Sequence, residues 1–137
     1  MSNHRLIGAI AAGAIGFAGL GAAVAVPVAT AGAGTPPVNN TAKCSGSSTA
    51  NLQLQREDTG QLSVDFGVDM ARNQAGVGWK VTEKDNGTIF VNKTAKTIGD
   101  GSFSITRLRT PFAGLNTVKG TAVNATTGET CILKASI

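Results

Sequence analysis

Leu62-Ser63-Val64-Asp65-Phe66-Gly67-Val68-Asp69-Met70 alternates apolar and polar residues without a break. In an extended chain successive side chains point to opposite faces. Leu62, Val64, Phe66, Val68 and Met70 therefore share one face, and Ser63, Asp65, Gly67 and Asp69 the other. A helix would scatter the same residues around its surface. The stretch reads as a strand with one buried face, and the chain on both sides of it repeats the pattern.

Upstream, Ala50, Leu52 and Leu54 alternate with Asn51, Gln53 and Gln55, and Glu57-Asp58-Thr59-Gly60 supplies turn chemistry between the two strands. Downstream, the polar stretch from Ala71 to Gly76 leads into Val77, Trp79 and Val81, which alternate with Gly78, Lys80 and Thr82. Asp85-Asn86-Gly87 marks a tight hairpin, because Asn-Gly takes the positive φ angles of a type I′ turn. The strand after it, Thr88 to Thr94, has apolar residues on both parities (Ile89, Phe90, Val91), and its facing stays open. Gly99-Asp100-Gly101 then breaks the chain before Phe103 and Ile105. Pro111 to Asn116 is a longer connection carrying Phe112 and Leu115. Val118, Gly120 and Ala122, the turn Ala125 to Gly128, and the alternating run Cys131 to Ile137 complete the pattern. The expectation is about seven antiparallel strands, an all-β chain with no helix after residue 33.

The N-terminus is of another kind. Arg5 is followed by no charge until Lys43, and Leu6 to Ala25 is rich in Ala and Gly with interspersed Leu, Ile, Phe and Val. Ala29-Thr30-Ala31 and Ala31-Gly32-Ala33 both fit the small-x-small cleavage pattern of a secretory signal peptide. The expected organisation is a signal peptide (helical, residues 1–33), a flexible linker over 34–43 that includes Pro36-Pro37, and one domain over 44–137. The alternative is a retained membrane anchor, since the uncharged run is long enough to span a bilayer. Secretion, to the extracellular space or the cell envelope, is the expected destination.

Loss of Arg5 takes the formal charge from +4 to +3, too small and dispersed a balance to argue for nucleic acid. The two cysteines, Cys44 and Cys131, bracket the domain and are expected to form one disulfide outside the cytosol. The only histidine, His4, lies in the signal segment. No histidine therefore remains to serve as a base for a serine nucleophile or as a zinc ligand, and no cofactor or metal is expected. Asp65 and Asp69 lie about 13 Å apart along one strand face, which is no glycosidase pair across a cleft. Glu57, Asp58, Asp85 and Asp100 read as turn acids without the spacing of a calcium loop.

The strand order fits an immunoglobulin-like two-sheet sandwich, in which Trp79 falls on the third strand at a core position. Asp69 to Val81 (a polar loop, then Gly78-Trp79-Lys80-Val81), Gly101-Ser102-Phe103 and Gly128-Glu129-Thr130-Cys131 carry a resemblance. From Cys44 to Ile137 the chain resembles small secreted actinobacterial proteins with an immunoglobulin-like domain. That resemblance implies a fold and an export route, and no activity. The chain departs from it at the sixth strand, where Gly120 takes an inward position that usually holds a side chain.

One asymmetry bears on function. Outward positions of the third, sixth and seventh strands include Lys80, Thr82, Lys84, Thr117, Lys119, Thr121, Thr130 and Lys134, with no acid. Those of the first, second and fifth include Asn51, Gln53, Gln55, Ser63, Asp65, Asp69, Ser104 and Thr106. The lysine face, with Lys80, Lys84, Lys119 and Lys134, is the candidate binding surface for an anionic envelope polymer or an acidic protein. A membrane is a partner only if the signal segment stays as an anchor. The expected function is a non-enzymatic binding module. The alternative is a small secreted inhibitor that presents Ala71 to Gly76 or Pro111 to Asn116 to a hydrolase.

Overall fold

A computed structural model describes residues 35–137. The signal peptide, its cleavage sites and the helix expected there lie outside the described residues. Within them the chain forms eight strands and no helix: β1 (Val38–Lys43), β2 (Thr49–Arg56), β3 (Leu62–Asp69), β4 (Gly78–Asp85), β5 (Thr88–Lys96), β6 (Ser102–Arg109), β7 (Thr117–Asn124) and β8 (Thr130–Ser136). They make two antiparallel four-stranded sheets, ordered β1-β2-β3-β6 and β5-β4-β7-β8.

The alternating run from Leu62 to Asp69 is β3. Leu62, Val64, Phe66 and Val68 are buried, and Ser63, Asp65 and Asp69 are not. The buried parities of both sheets meet in one core, Leu52, Leu54, Val64 and Phe66 from one sheet with Trp79, Val81, Val118 and Leu133 from the other. Trp79 packs against Phe103 with ring centroids 6.1 Å apart. The result is a β-sandwich. Gly120 also finds its reason here. A Cβ at that position would sit 2.6 Å from Phe66 Cδ2, so the Phe66 ring occupies the space that a side chain on β7 would need.

Two sequence expectations change. Residues 34–43 are not a flexible linker throughout, because β1 adds an eighth strand from Val38 onward. It pairs with β2 from Val38↔Leu54 to Lys43↔Thr49, and Val38 and Ala42 pack on the core. Its polar composition hides this, since only those two apolar residues are needed on an edge strand with one inward parity. The facing of the strand after the hairpin resolves as a β-bulge. Glu83 opposes Val91 and Lys84 opposes Ile89, which leaves Phe90 as the extra residue. Val91 turns inward, Ile89 outward, and Phe90 is half-buried at the edge. The extra residue shifts the parity, so Ile89 and Val91, two positions apart, face opposite sides of the sheet.

Cys44, just past β1, is bonded to Cys131 in β8, 87 residues away. The bridge joins the edge strands of the two sheets. Around it Ser45 N donates to Thr130 O, Thr130 N to Ser45 Oγ, and Ser48 donates through N and Oγ to the Glu129 carboxylate. Asn40 Nδ2 donates to Lys134 O farther along. One side of the sandwich is thus closed covalently and by hydrogen bonds.

Candidate functional site

The outward face of the β5-β4-β7-β8 sheet carries the lysines that the sequence singles out. Register decides how they are grouped. Lys84 on β4 is directly opposite Lys119 on β7, and Lys119 directly opposite Lys134 on β8. Adjacent strands lie about 4.8 Å apart, so three exposed ammonium-bearing chains stand in one row across the sheet. Lys80 does not join them. It lies four residues back along β4, about 13 Å at the usual rise, with Thr94 and Val123 as its cross-strand partners. Lys96, which pairs with Gly78, stands at that other end of the face; the sequence does not assign it there, because apolar residues on both parities leave the facing of β5 open.

Like charges directly opposite one another on a sheet are destabilising. The row is therefore an arrangement that the fold tolerates at a cost, and no acid on the same face relieves it. Lys84, Lys119 and Lys134 line a shallow cavity of about 350 Å³ together with Asn86, Gly87 and Thr117. Beside it, Thr117 Oγ1 and Ser136 Oγ are hydrogen-bonded at 2.9 Å, which leaves hydroxyl groups at the rim. Chemically the row offers cations and hydrogen-bond donors to an anion.

The end of the sandwich beside this row is held by asparagines. Asn86 and Gly87 both have positive φ, 47° and 85°, as a type I′ turn demands. Asn86 Oδ1 accepts from Thr117 N, and Asn86 Nδ2 donates to Leu115 O. Asn116 is buried and bonds Phe112 on both backbone groups, through Oδ1 and Nδ2, while Nδ2 also reaches Gly114 O. Arg56 Nη2 donates to Gly114 O from β2. The connection Pro111 to Asn116 is thereby fixed, with Leu115 67% exposed at its tip.

Behind the row the sheet's inward parity turns from apolar to charged. Trp79 and Val81 are followed on the same face of β4 by Glu83 and Asp85, both with no exposed surface. Asp85 is thus no turn acid open to solvent, as its place in Asp-Asn-Gly suggested; it is the last inward residue of β4. Arg109 Nε lies 3.3 Å from Asp85 Oδ2, and the guanidinium stacks 4.6 Å from the Phe90 ring centroid and 5.2 Å from that of Phe112. Burial pushes the Asp85 carboxyl up, against the pull of Arg109 and then Arg56. Neither oxygen of Glu83 has a hydrogen-bond partner among the described residues, and burial raises its carboxyl to about 7. Arg107 and, more weakly, Lys93 oppose that rise, and Asp65 adds to it. Asp100 is a true turn acid: it accepts from Ser102 N and Oγ, and those bonds lower its carboxyl from the ordinary value.

A second cavity, about 400 Å³, lies at the disulfide end beside Ser45, Met70, Arg72, Gln74 and Glu129. Its one carboxylate is already engaged by Ser48. Comparison with protein-family models, curated proteins and solved structures finds no match to the chain.

Proposed function

We propose that this is a non-enzymatic binding module of the cell envelope or extracellular space, built on an immunoglobulin-like sandwich, that holds an anionic partner on the Lys84–Lys119–Lys134 row. One observation carries the reading. Three like charges stand in direct cross-strand opposition on a face without acids, and an anion laid along the row offsets their mutual repulsion. The pairing of β2, β3 and β6 in one sheet with β4, β7 and β8 in the other supports the immunoglobulin-like type, as the resemblance implies. A disulfide is compatible with an extracellular location.

The test is retention of the exported protein on purified cell envelope as salt is raised. Changing Lys84, Lys119 and Lys134 together to Gln is expected to remove the salt-sensitive retention, whereas Lys80→Gln leaves most of it. Equal retention of the triple variant and the parent refutes the reading.

The pinned loop favours a second reading, a small secreted hydrolase inhibitor, because a fixed loop loses little entropy on docking. Its carbonyls at Phe112, Gly114 and Leu115 already accept internal hydrogen bonds. It would therefore engage through the Leu115 side chain more than through a backbone ladder. Incubation with secreted hydrolases, comparing the parent with Leu115→Ala, separates this reading from the first.

A further inference from the structure

The lysine row does not stand on a purely polar surface. Ile89 pairs with Lys84 in the same row and is 53% exposed; Ile132 precedes Lys134 by two residues on β8 and is 55% exposed. Leu115 lies two residues before Thr117, in the parity of Thr117 and Lys119, and its carbonyl is tied to Asn86 at the end of the row. A soluble polyanion has no use for three exposed aliphatic side chains among three lysines. A surface with anionic headgroups over hydrocarbon uses both.

The route of the chain points the same way. Val38 opens β1 opposite Leu54, next to Arg56, and Arg56 Nη2 reaches Gly114 O and Ile137 O. The chain before Val38 therefore leaves the domain at the end that carries Leu115, close to the lysine row. Upstream of it lies the uncharged apolar stretch Leu6 to Ala25, separated from Val38 by residues 26–37. That spacer extends at most roughly 40 Å. While the apolar stretch is in a bilayer, before cleavage or without it, this end of the sandwich lies within that reach of the lipid surface.

We infer that the partner of the lysine row is an anionic lipid surface, on which the domain docks with Lys84, Lys119 and Lys134 at the headgroups and Leu115 in the interface. The inference rests on the proposed function and names its ligand. Electrostatic attraction of three juxtamembrane lysines amounts to an affinity gain on the order of a hundredfold at low salt. Burial of one leucine side chain adds about tenfold or more. Neither contribution is irreversible, so docking is salt-sensitive and depends on both.

The exported protein is tested by co-sedimentation with vesicles of phosphatidylcholine alone and of phosphatidylcholine with phosphatidylglycerol. Retention on immobilised polyphosphate is measured in parallel. The inference expects binding to the anionic vesicles only, a loss on the order of a hundredfold in the Lys84/Lys119/Lys134→Gln variant, and a loss of about tenfold in Leu115→Ser. Leu115→Ser is expected to keep its full retention on polyphosphate. Retention on polyphosphate without binding to anionic vesicles overturns the lipid assignment and leaves the anion-binding row standing. So does vesicle binding that Leu115→Ser does not weaken. Failure to bind either polyphosphate or anionic vesicles overturns the lipid assignment, and the proposed function falls with it when the triple variant and the parent are also retained equally on cell envelope.

Discussion

Raising the pH from 5 to 8.5 should weaken this domain, the reverse of what salt-bridged carboxylates produce. The group responsible is Glu83, whose carboxyl is raised from 4.5 to about 7 by burial. Below pH 4.5 that carboxyl is neutral in folded and unfolded chains alike, and its titration contributes nothing. Between 4.5 and about 7 the unfolded chain gives up the proton while the folded chain keeps it. The folded state binds more protons, so stability falls as pH rises through this window. Above it both states are ionised and the loss is complete and constant. A shift of that size corresponds to about 3 kcal/mol, a large share of the 5–15 kcal/mol typical of a small domain. Asp85 moves in the same direction. Asp100 has a lowered carboxyl, so its contribution is lost only as pH falls below the ordinary value of 3.8, outside the window. Urea unfolding at constant ionic strength between pH 5 and 8.5 reads the effect, with an expected fall in midpoint of about 2 M for a domain of this size. Glu83→Gln keeps the shape and removes this titration, so its midpoint should fall much less across the range, with only the contribution of Asp85 left. A parent midpoint that is flat or rises between pH 5 and 8, or a slope as steep in the Gln variant as in the parent, refutes the reasoning.

Two further outcomes test the packing. Gly120→Ala drives a methyl against the Phe66 ring and should cost about 1–3 kcal/mol, read as a lowered urea midpoint; adding Phe66→Leu should return part of that loss. Replacing Cys44 and Cys131 together by Ser opens a loop of 87 residues and should cost about 4–5 kcal/mol on the chain-entropy account. Hydrogen exchange should then rise first in β1, an edge strand left with its pairing with β2, the core packing of Val38 and Ala42, the Asn40 bond to β8 and the Ser45 and Ser48 bonds beside it.

Most strands were legible because alternation was strict: β2, β3, β4 and β8 follow from their apolar parity, and their turns from Gly60, Asn86-Gly87 and Gly128, all glycines or asparagine at positive φ. β1 was not legible, since Val-Asn-Asn-Thr-Ala-Lys after Pro36-Pro37 has the composition of a linker. Pairing with β2, the core packing of Val38 and Ala42, the disulfide and Asn40 make it a strand. The lysine face was legible as a face, because parity gives orientation. Its division into a row of three and a separate Lys80 was not, because that depends on register between strands far apart in sequence. The inward acids were missed for another reason. Lys80 and Lys84 lead the eye to the outward parity, and Glu83 and Asp85 look like ordinary polar residues near a turn. Yet strict alternation from Trp79 already assigns both to the core side.

That continuation of parity links the core to the surface. On β4, Trp79 and Val81 pack in the apolar half of the sandwich, while Glu83 and Asp85 extend the same face into a region supplied with Arg56, Arg107 and Arg109 by β2 and β6. Arg109 can serve Asp85 there because its stem and guanidinium lie between Phe90 and Phe112, so an edge strand provides a cation without leaving the core open. Glu83 has no such partner, and burial keeps its carboxyl protonated up to about pH 7. Lys84 sits between these two acids in sequence and projects from the opposite face of the sheet. Ionisation of Glu83 therefore places a negative charge behind the lysine row, where it cancels part of the row's positive field while it weakens the core. Both effects carry the same sign. The protonation state that packs β4 best is also the one in which Lys84, Lys119 and Lys134 present their full charge to an anion.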